Sequence, residues 1–445
     1  VMEIGSIALM PDKKVAVTTR RGDLWICEGA YEKDLSKVKW TLAHRGLHEP
    51  LGMFYKNGSF YLTQRPEVSK LTDSNGNGKI DSFETICSDW GINGDYHEYA
   101  FGSTPDKEGN VWVVLCLTGS FHARSPWRGW CMRITPEGKM IPSCSGVRSP
   151  GGIGFNAKGD TFYTDNQGVW NGSSSLKWLK PGSFQGNPTG NIFYKDQTEI
   201  KPLKNQPNDN SRIEIERKRI PQFIPPAVVL PHGKVGQSPT AVIHDQTAGK
   251  FGPFPKQVFV GEQTHSEVQR VYLEKVKGIY QGAVFKCLSG FRAGIIPMRL
   301  SDDGTLFVGG SNRGWGSKGG NPFTFERVRW NKKTPFEILE MKAKPNGFEL
   351  TFTEPVDPKT VIPASFSMKA WTYIYRSKYG SPEVDPATPV IKSAKVSSDG
   401  KSVRLVIDGL VKGHVHHLHS PGVRSKNNSE LWHKDAYYTL NEIPD

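Results

Sequence analysis

Twelve consecutive residues carry the most specific chemistry in the chain: Asp73-Ser-Asn75-Gly-Asn77-Gly78-Lys79-Ile-Asp81-Ser-Phe-Glu84. They match the calcium-loop template D-x-[DN]-x-[DN]-G-x5-E at each defined position. Calcium is a hard cation that takes about six to eight oxygen ligands, and this spacing supplies them. Asp73, Asn75 and Asn77 offer side-chain oxygens from alternate positions, Lys79 its backbone carbonyl, Asp81 a direct or water-mediated contact, and Glu84 a bidentate closure. Gly78 takes the sharp turn that a Cβ would obstruct. Amides at 75 and 77 replace carboxylates, which weakens the site and favours a structural ion in a calcium-rich exterior. The other reading is a polar surface turn rich in Asn and Gly.

The elements that would position such a loop are short strands. With 36% hydrophobic residues, 47 Gly, 31 Pro and 12 Trp, the composition favours strands and turns over long helices. A chain of 445 residues predicts two domains. One pattern recurs: an apolar strand, a polar turn with Gly, then a strand rich in aromatic and β-branched residues. It appears at Ile7-Ala-Leu-Met-Pro-Asp-Lys-Lys-Val-Ala-Val, Met53-Phe-Tyr-Lys-Asn-Gly-Ser-Phe-Tyr-Leu and Ser103-Thr-Pro-Asp-Lys-Glu-Gly-Asn-Val-Trp-Val-Val. It returns at Ile153-Gly-Phe-Asn-Ala-Lys-Gly-Asp-Thr-Phe-Tyr-Thr and Met298-Arg-Leu-Ser-Asp-Asp-Gly-Thr-Leu-Phe-Val-Gly, with a further unit over residues 239–271. Six units of roughly 55 residues predict an all-β, six-bladed β-propeller over residues 1–333. Residues 73–84 then form an insertion between the second and third blades, and 187–235 a polar excursion between blades. From 334 to 445 the spacing changes to that of a small immunoglobulin-like β-sandwich. Its Trp371, Tyr373 and Tyr375 suit a core or interface, or sugar stacking.

The net charge of +13 predicts attraction to polyanions such as acidic or sulfated polysaccharide. The basic residues are scattered, apart from a loose cluster of Arg212, Arg217, Lys218 and Arg219, and no nucleic-acid-binding motif accompanies them. No apolar run of 18 residues exists to span a membrane. No signal peptide is visible at Val1, and one trimmed before it is compatible with the sequence. The six cysteines (27, 87, 116, 131, 144, 287) include no CxxC and no CxxCH, excluding zinc ribbons and covalent haem within this sequence. They read equally as disulfides of an exported protein or as buried thiols, and Cys131 and Cys144 could face one another across a hairpin.

Three further motifs carry a resemblance. Tyr96-His97-Glu98-Tyr99-Ala100-Phe101-Gly102, followed by Pro105-Asp106 and Gly109-Asn110-Val111-Trp112-Val113, resembles the catalytic-histidine blade of soluble quinoprotein glucose and sorbosone dehydrogenases. Arg148-Ser149-Pro150-Gly151-Gly152-Ile153 is similar to that family's Arg-Asn-Pro-x-Gly, with Ser149 in place of Asn. Pro181-Gly182-Ser183-Phe184-Gln185-Gly186-Asn187-Pro188 is similar to its Pro-Gly-x-Asn-Tyr-Gly-Trp-Pro, with Asn187 in place of Trp. A resemblance covering nearly the whole chain is to the membrane-bound-dehydrogenase-like propellers of planctomycetes and verrucomicrobia, many fused to a c-type haem domain. Thr164-Asp165-Asn166-Gln167-Gly168, Gly261-Glu262-Gln263-Thr264-His265-Ser266, Asn312-Arg313-Gly314-Trp315-Gly316-Ser317, Tyr379-Gly-Ser-Pro-Glu and Tyr437-Tyr-Thr-Leu-Asn carry it.

What the quinoprotein resemblance implies is oxidation of a sugar C1 hydroxyl. His97 takes the hydroxyl proton while hydride passes to pyrroloquinoline quinone, polarised by calcium held near the carbonyls of Gln167 and Gly168. Arg148 stabilises charge on the cofactor or substrate oxygen, Arg292 is a further cofactor-binding candidate, and His265 and Arg313 are candidate catalytic residues. A separate electron acceptor and an exported bacterial location, periplasmic or extracellular, follow. The competing expectation is an acidic-polysaccharide lyase, hydrolase or binding module without a redox cofactor, with His97 or His265 as base and Tyr96 or Tyr99 as proton donor. A structural or adhesive propeller is the third. In each, the loop at 73–84, which closes thirteen residues before His97, is expected to stiffen the rim carrying that histidine.

Overall fold

A computed structural model describes residues 2–312 and 316–445. Six sheets, antiparallel but for the short parallel pairing of Cys144 with Ser183 in the third, follow one another along the chain, and their innermost strands, beginning at Ile4, Gly52, Ala100, Pro150, Pro239 and Ile295, pack side by side around one axis. The ring closes where strand Ile295–Leu300 meets Ile4–Leu9. The chain is therefore an all-β, six-bladed propeller followed by a C-terminal β unit. Each expected hairpin supplies the first two strands of a blade. Asn57 and Gly58, both at positive φ, make the two-residue turn that sets Lys56 opposite Ser59. Blades stack face to face, so their second strands are covered on both sides. Val111–Leu115 and Val15–Thr19 are buried throughout, which is why Val111–Leu115 reads as an unbroken apolar run. Glycines recur on the innermost strands because neighbouring backbones crowd the axis; a Cβ on Gly52 would lie 2.6 Å from the Gly102 carbonyl oxygen.

Two readings of the inserted segments are corrected. The loop at 73–84 is not an insertion between blades: residues 73–81 join strand Val68–Thr72 to Ser82–Cys87, the outer strand of the second blade, and Glu84 lies on that outer strand. The excursion at 187–235 ends in strand Val228–Leu230, the outer strand of blade four, paired Ser174↔Leu230. Ahead of that strand come a 3-10 segment, Pro188–Asp196, and the short helix Ile213–Arg219. The basic cluster here is not an anion patch, since Arg212 pairs with Asp385, Arg217 with Glu214 and Glu442, Lys218 with Glu214, and Arg219 with Glu216.

The C-terminal unit is fused to the propeller rather than hung from it. The last strand, Asp435–Leu440, pairs with Ile279–Leu288 of blade five, so one eight-stranded sheet runs from the propeller into the C-terminal unit. A four-stranded sheet covers it, and Phe348, Leu350, Leu405, Met368, Leu418 and Tyr438 from the two sheets share one core. Trp371 and Tyr375 are buried and Tyr373 partly so, where this unit meets blade four, so they serve as interface. All six cysteines are free thiols; Cys131 and Cys144 do face one another in register. No helix among the described residues is long and apolar enough to cross a membrane.

Candidate functional site

The innermost strands open at one end into a cavity of about 730 Å³, lined by residues from every blade and by Tyr379 of the C-terminal unit. His97 stands just before strand Ala100–Pro105 and is fixed from three sides. Its backbone N–H donates to Asp95 Oδ1 at 2.8 Å, and that carboxylate also accepts from Gly119 N–H at 3.0 Å. The Arg65 guanidinium of blade two donates to the Asp95 and Tyr96 carbonyls and lies over the Tyr99 ring. The buried carboxylate of Glu98 takes the hydroxyls of Thr118 and Ser125 and the N–H of Asn93, tying this segment to the loop after Val111–Leu115. The imidazole itself packs on Tyr96, ring centroids 3.9 Å apart, and makes no hydrogen bond among the described residues. Burial depresses its pKa below the ordinary 6.5, Arg148 and Arg65 add to this, and Asp95 opposes it. At neutral pH the ring is an uncharged, available base.

Arg148, ahead of strand Pro150–Phe155, is 3% exposed and has no carboxylate partner among the described residues. Its Nη1 donates to the Asn166 and Gln167 carbonyls at 3.2 and 2.7 Å. Nε is buried without a partner. The Nε–Nη2 edge, the one that takes a carboxylate bidentately, has no hydrogen-bond partner among the described residues. Tyr379 and Phe121 flank the guanidinium at 5.2 and 5.9 Å. Below it lies the buried pair Lys177–Asp165 at 2.9 Å, whose Asp165 Oδ1 also accepts Ser149 N–H at 2.8 Å. Breaking a buried pair leaves a bare charge, typically at about 3–5 kcal/mol. Lys177→Met is therefore expected to lower unfolding free energy by about that amount in denaturant melts, and a loss under about 1 kcal/mol would contradict this account of the pair.

The other expected site residues fall differently. Gln167 and Gly168 lie beside Arg148, but the Gln167 carbonyl already faces the guanidinium, and the Gly168 carbonyl accepts the Gly380 and Asn171 N–H groups. Neither is disposed to hold a calcium ion. Gly168 has another role: a Cβ there would lie 1.9 Å from Arg148 Cζ, so its bareness admits the arginine. His265 sits on the turn after Val258–Glu262, behind the wall that its neighbours Gln263 and Thr264 form, and the second histidine at the cavity is His232. Arg292 is exposed and does not line the cavity. Arg313 lies outside the described residues.

The loop at 73–84 is remote from all of this. Strand Gly52–Lys56 leaves the cavity at Leu51, and registers Ser59↔Thr72 and Thr63↔Val68 carry the loop to the opposite end of the blade. It cannot brace the rim of His97. Its first half has the turns of a calcium loop: Asp73 accepts from Asn77 and Gly78 N–H, and Asn77 Oδ1 from Lys79 N–H. Asp81 accepts from Ser74 and Asn75. Glu84 is set opposite Lys70 and pairs with it at 3.4 Å, so it must turn away to close a site.

Sequence reasoning missed Tyr379 and Phe121 as cavity residues. Tyr379 is delivered by a strap pinned to blade four, where Trp170 N–H donates to Arg376 O at 2.7 Å and Ser381 N–H to Gly172 O at 3.1 Å. Its signal was a lone aromatic in the polar turn Tyr379-Gly-Ser-Pro-Glu. Also missed was Glu262, a buried carboxylate accepting the N–H groups of Gln237, Ser238 and Thr264. Burial raises its pKa to about 7 against the pull of those donors.

No family model matches the chain, and no curated protein matches it with significance. Solved structures do. A glucose dehydrogenase-type oxidoreductase of Thermus thermophilus aligns at 18% identity and TM-score 0.52, over 74% of this chain and 97% of its own. The quinone-bound form of an aldose sugar dehydrogenase of Streptomyces coelicolor aligns at 13% identity and TM-score 0.52, over 74% and 94%. A further glucose dehydrogenase aligns at 15% and 0.54, over 74% and 97%. At these identities the likeness establishes the propeller fold.

Proposed function

We propose that the central cavity is an oxidoreductase site for a carbohydrate hydroxyl, with His97 as the base and pyrroloquinoline quinone as the electron acceptor. The observation that carries it is the pairing, in one cavity, of an uncharged, unpartnered imidazole with the unclaimed Nε–Nη2 edge of Arg148. A planar quinone bearing carboxylates fits that guanidinium and the aromatic flank of Phe121, leaving Tyr379 to the sugar. When bound, it supplies the hydride acceptor. The chain's own part is to hold the sugar, draw its hydroxyl proton onto the His97 ring and balance negative charge with Arg148. Calcium at the Gln167 and Gly168 carbonyls does not fit, and no step is assigned to it. The kinship with the planctomycete-type propellers, an exported location and a separate electron acceptor belong to the same proposal. Export now rests on the calcium-type loop and the resemblance, the cysteines being thiols.

Quinone retained after desalting, read by absorbance, tests the reading. Native chain and His97→Ala are expected to retain it and Arg148→Met to lose it, while no retention by the native chain counts against the proposal. An acidic glycan bound without redox chemistry is the second reading, favoured by the same free edge, which takes a uronate carboxylate equally well. Retention on an anionic-glycan column with no quinone uptake would select it.

Tyr379 stacks on the sugar in this scheme. Aromatic contacts are worth about 0.5–1.5 kcal/mol beyond buried area, so Tyr379→Ala is expected to raise KM roughly three- to tenfold with kcat little changed. An unchanged KM in steady-state kinetics would remove Tyr379 from substrate binding. The loop at 73–84 is proposed as a structural calcium site. Calcium is expected to raise the Tm of chelator-treated chain by a few degrees and not that of Asp73→Ala, leaving turnover alone. A melt that chelator does not move would argue against it.

A further inference from the structure

Strand His414–His419 alternates its side chains, burying His416 and Leu418 and turning His417 and His419 to the other face. The neighbouring strand Asp435–Leu440 pairs His419 with Asp435 and His417 with Tyr437. One carboxylate is thereby set between two imidazoles. His417 Nε2 lies 2.7 Å and His419 Nδ1 2.8 Å from the same Asp435 Oδ1. Among the described residues, this is the group of three His, Cys, Asp or Glu side chains whose ligating atoms lie within 4.8 Å of one another.

We infer that His417, His419 and Asp435 form a site for a borderline transition-metal ion of the zinc class, outside the propeller cavity. Two imidazoles and one carboxylate are the donor set of zinc with an open coordination position, and too poor in oxygen for calcium or magnesium. Tetrahedral ligands at zinc distances stand about 3.3 Å apart, so each imidazole–carboxylate distance need open by only about half an ångström. The His417 ring is already held, stacked on Tyr437 at 4.4 Å and 9° with the edge of Trp371 beside it. His417, His419 and Asp435 are 23%, 42% and 44% exposed, so an ion has a path in. A hollow of about 230 Å³ adjoins His419 and Asp435, lined also by Trp432 and His433, and leaves room for an exogenous ligand at the open position. The competing explanation is a carboxylate that merely bridges two imidazole N–H groups.

The test uses the full chain stripped with chelator and titrated with zinc. One equivalent is expected to survive gel filtration, and cobalt in its place is expected to give the visible d–d bands of a low-coordinate nitrogen–oxygen site. His419→Ala and Asp435→Asn are each expected to weaken zinc by more than the 10–100-fold that loss of an outer-shell partner costs. Asp73→Ala, in the other loop, leaves zinc binding unchanged. Zinc that is not retained, cobalt that stays octahedral, or equal binding by native chain and the two variants would overturn the site. Should the variants misfold, the cobalt spectrum of the native chain still decides.

Discussion

His97→Ala is expected to lower kcat by about 10²–10⁴-fold, the range that a positioned general base supplies. Quinone retention and Tm should stay near those of the native chain, because the histidine's own ring bonds to nothing else among the described residues; the segment is held through Asp95, Glu98 and Arg65. The pH profile carries the same signature. Burial lowers the folded pKa below 6.5, so the active, neutral form already dominates at pH 7. Turnover should be level through neutrality and fall only as pH drops below about 6.5, where the ring protonates. A rate that instead falls as pH rises through neutrality would assign the chemistry to a protonated group.

Arg148 gives the second large effect, and Gly168 makes it doubly testable. With quinone supplied in saturating excess, removing the guanidinium in Arg148→Met is expected to cost about 10²–10³-fold in kcat/KM, as loss of a charge-stabilising donor does. Arg148→Lys should rescue little, since a lysine cannot bond two carbonyls and still present a planar edge. Gly168→Ala should reproduce much of this defect without touching any charge, because its Cβ would occupy the space of Arg148 Cζ. Steady-state kinetics of the three variants decide it; a fully active Gly168→Ala would show that the arginine need not lie where it does.

The hairpins of all six blades were legible because each turn carries its own chemistry, Asn57-Gly58 being one case. The outer strands were not. Val228–Leu230 is three residues at the end of a polar stretch, and only its partner Ser174–Trp178 makes it a strand. The fusion of blade five to the C-terminal unit was equally hidden, since pairing of Val284 with Tyr437 is a tertiary choice. At the cavity, His97 and Arg148 were singled out by the resemblance of their motifs, and each stands two or three residues before the first strand of a blade, where the cavity opens. His265 and Arg292 do not line the cavity: His265 follows its wall residues Gln263 and Thr264, and Arg292 is turned to solvent, which spacing cannot distinguish. Tyr379 reaches the cavity from a different part of the fold altogether. The loop at 73–84 shows the limit most plainly: its local chemistry was readable, but its nearness in sequence to His97 hid that strand direction puts the two at opposite ends.

The most direct measurement is dye-linked oxidation of an aldose and oligosaccharide panel by purified chain loaded with pyrroloquinoline quinone, run beside His97→Ala. The account predicts quinone-dependent dye reduction on at least one sugar, lost in the variant. Quinone retained with no turnover on any sugar, or turnover equal in native chain and variant, would contradict it.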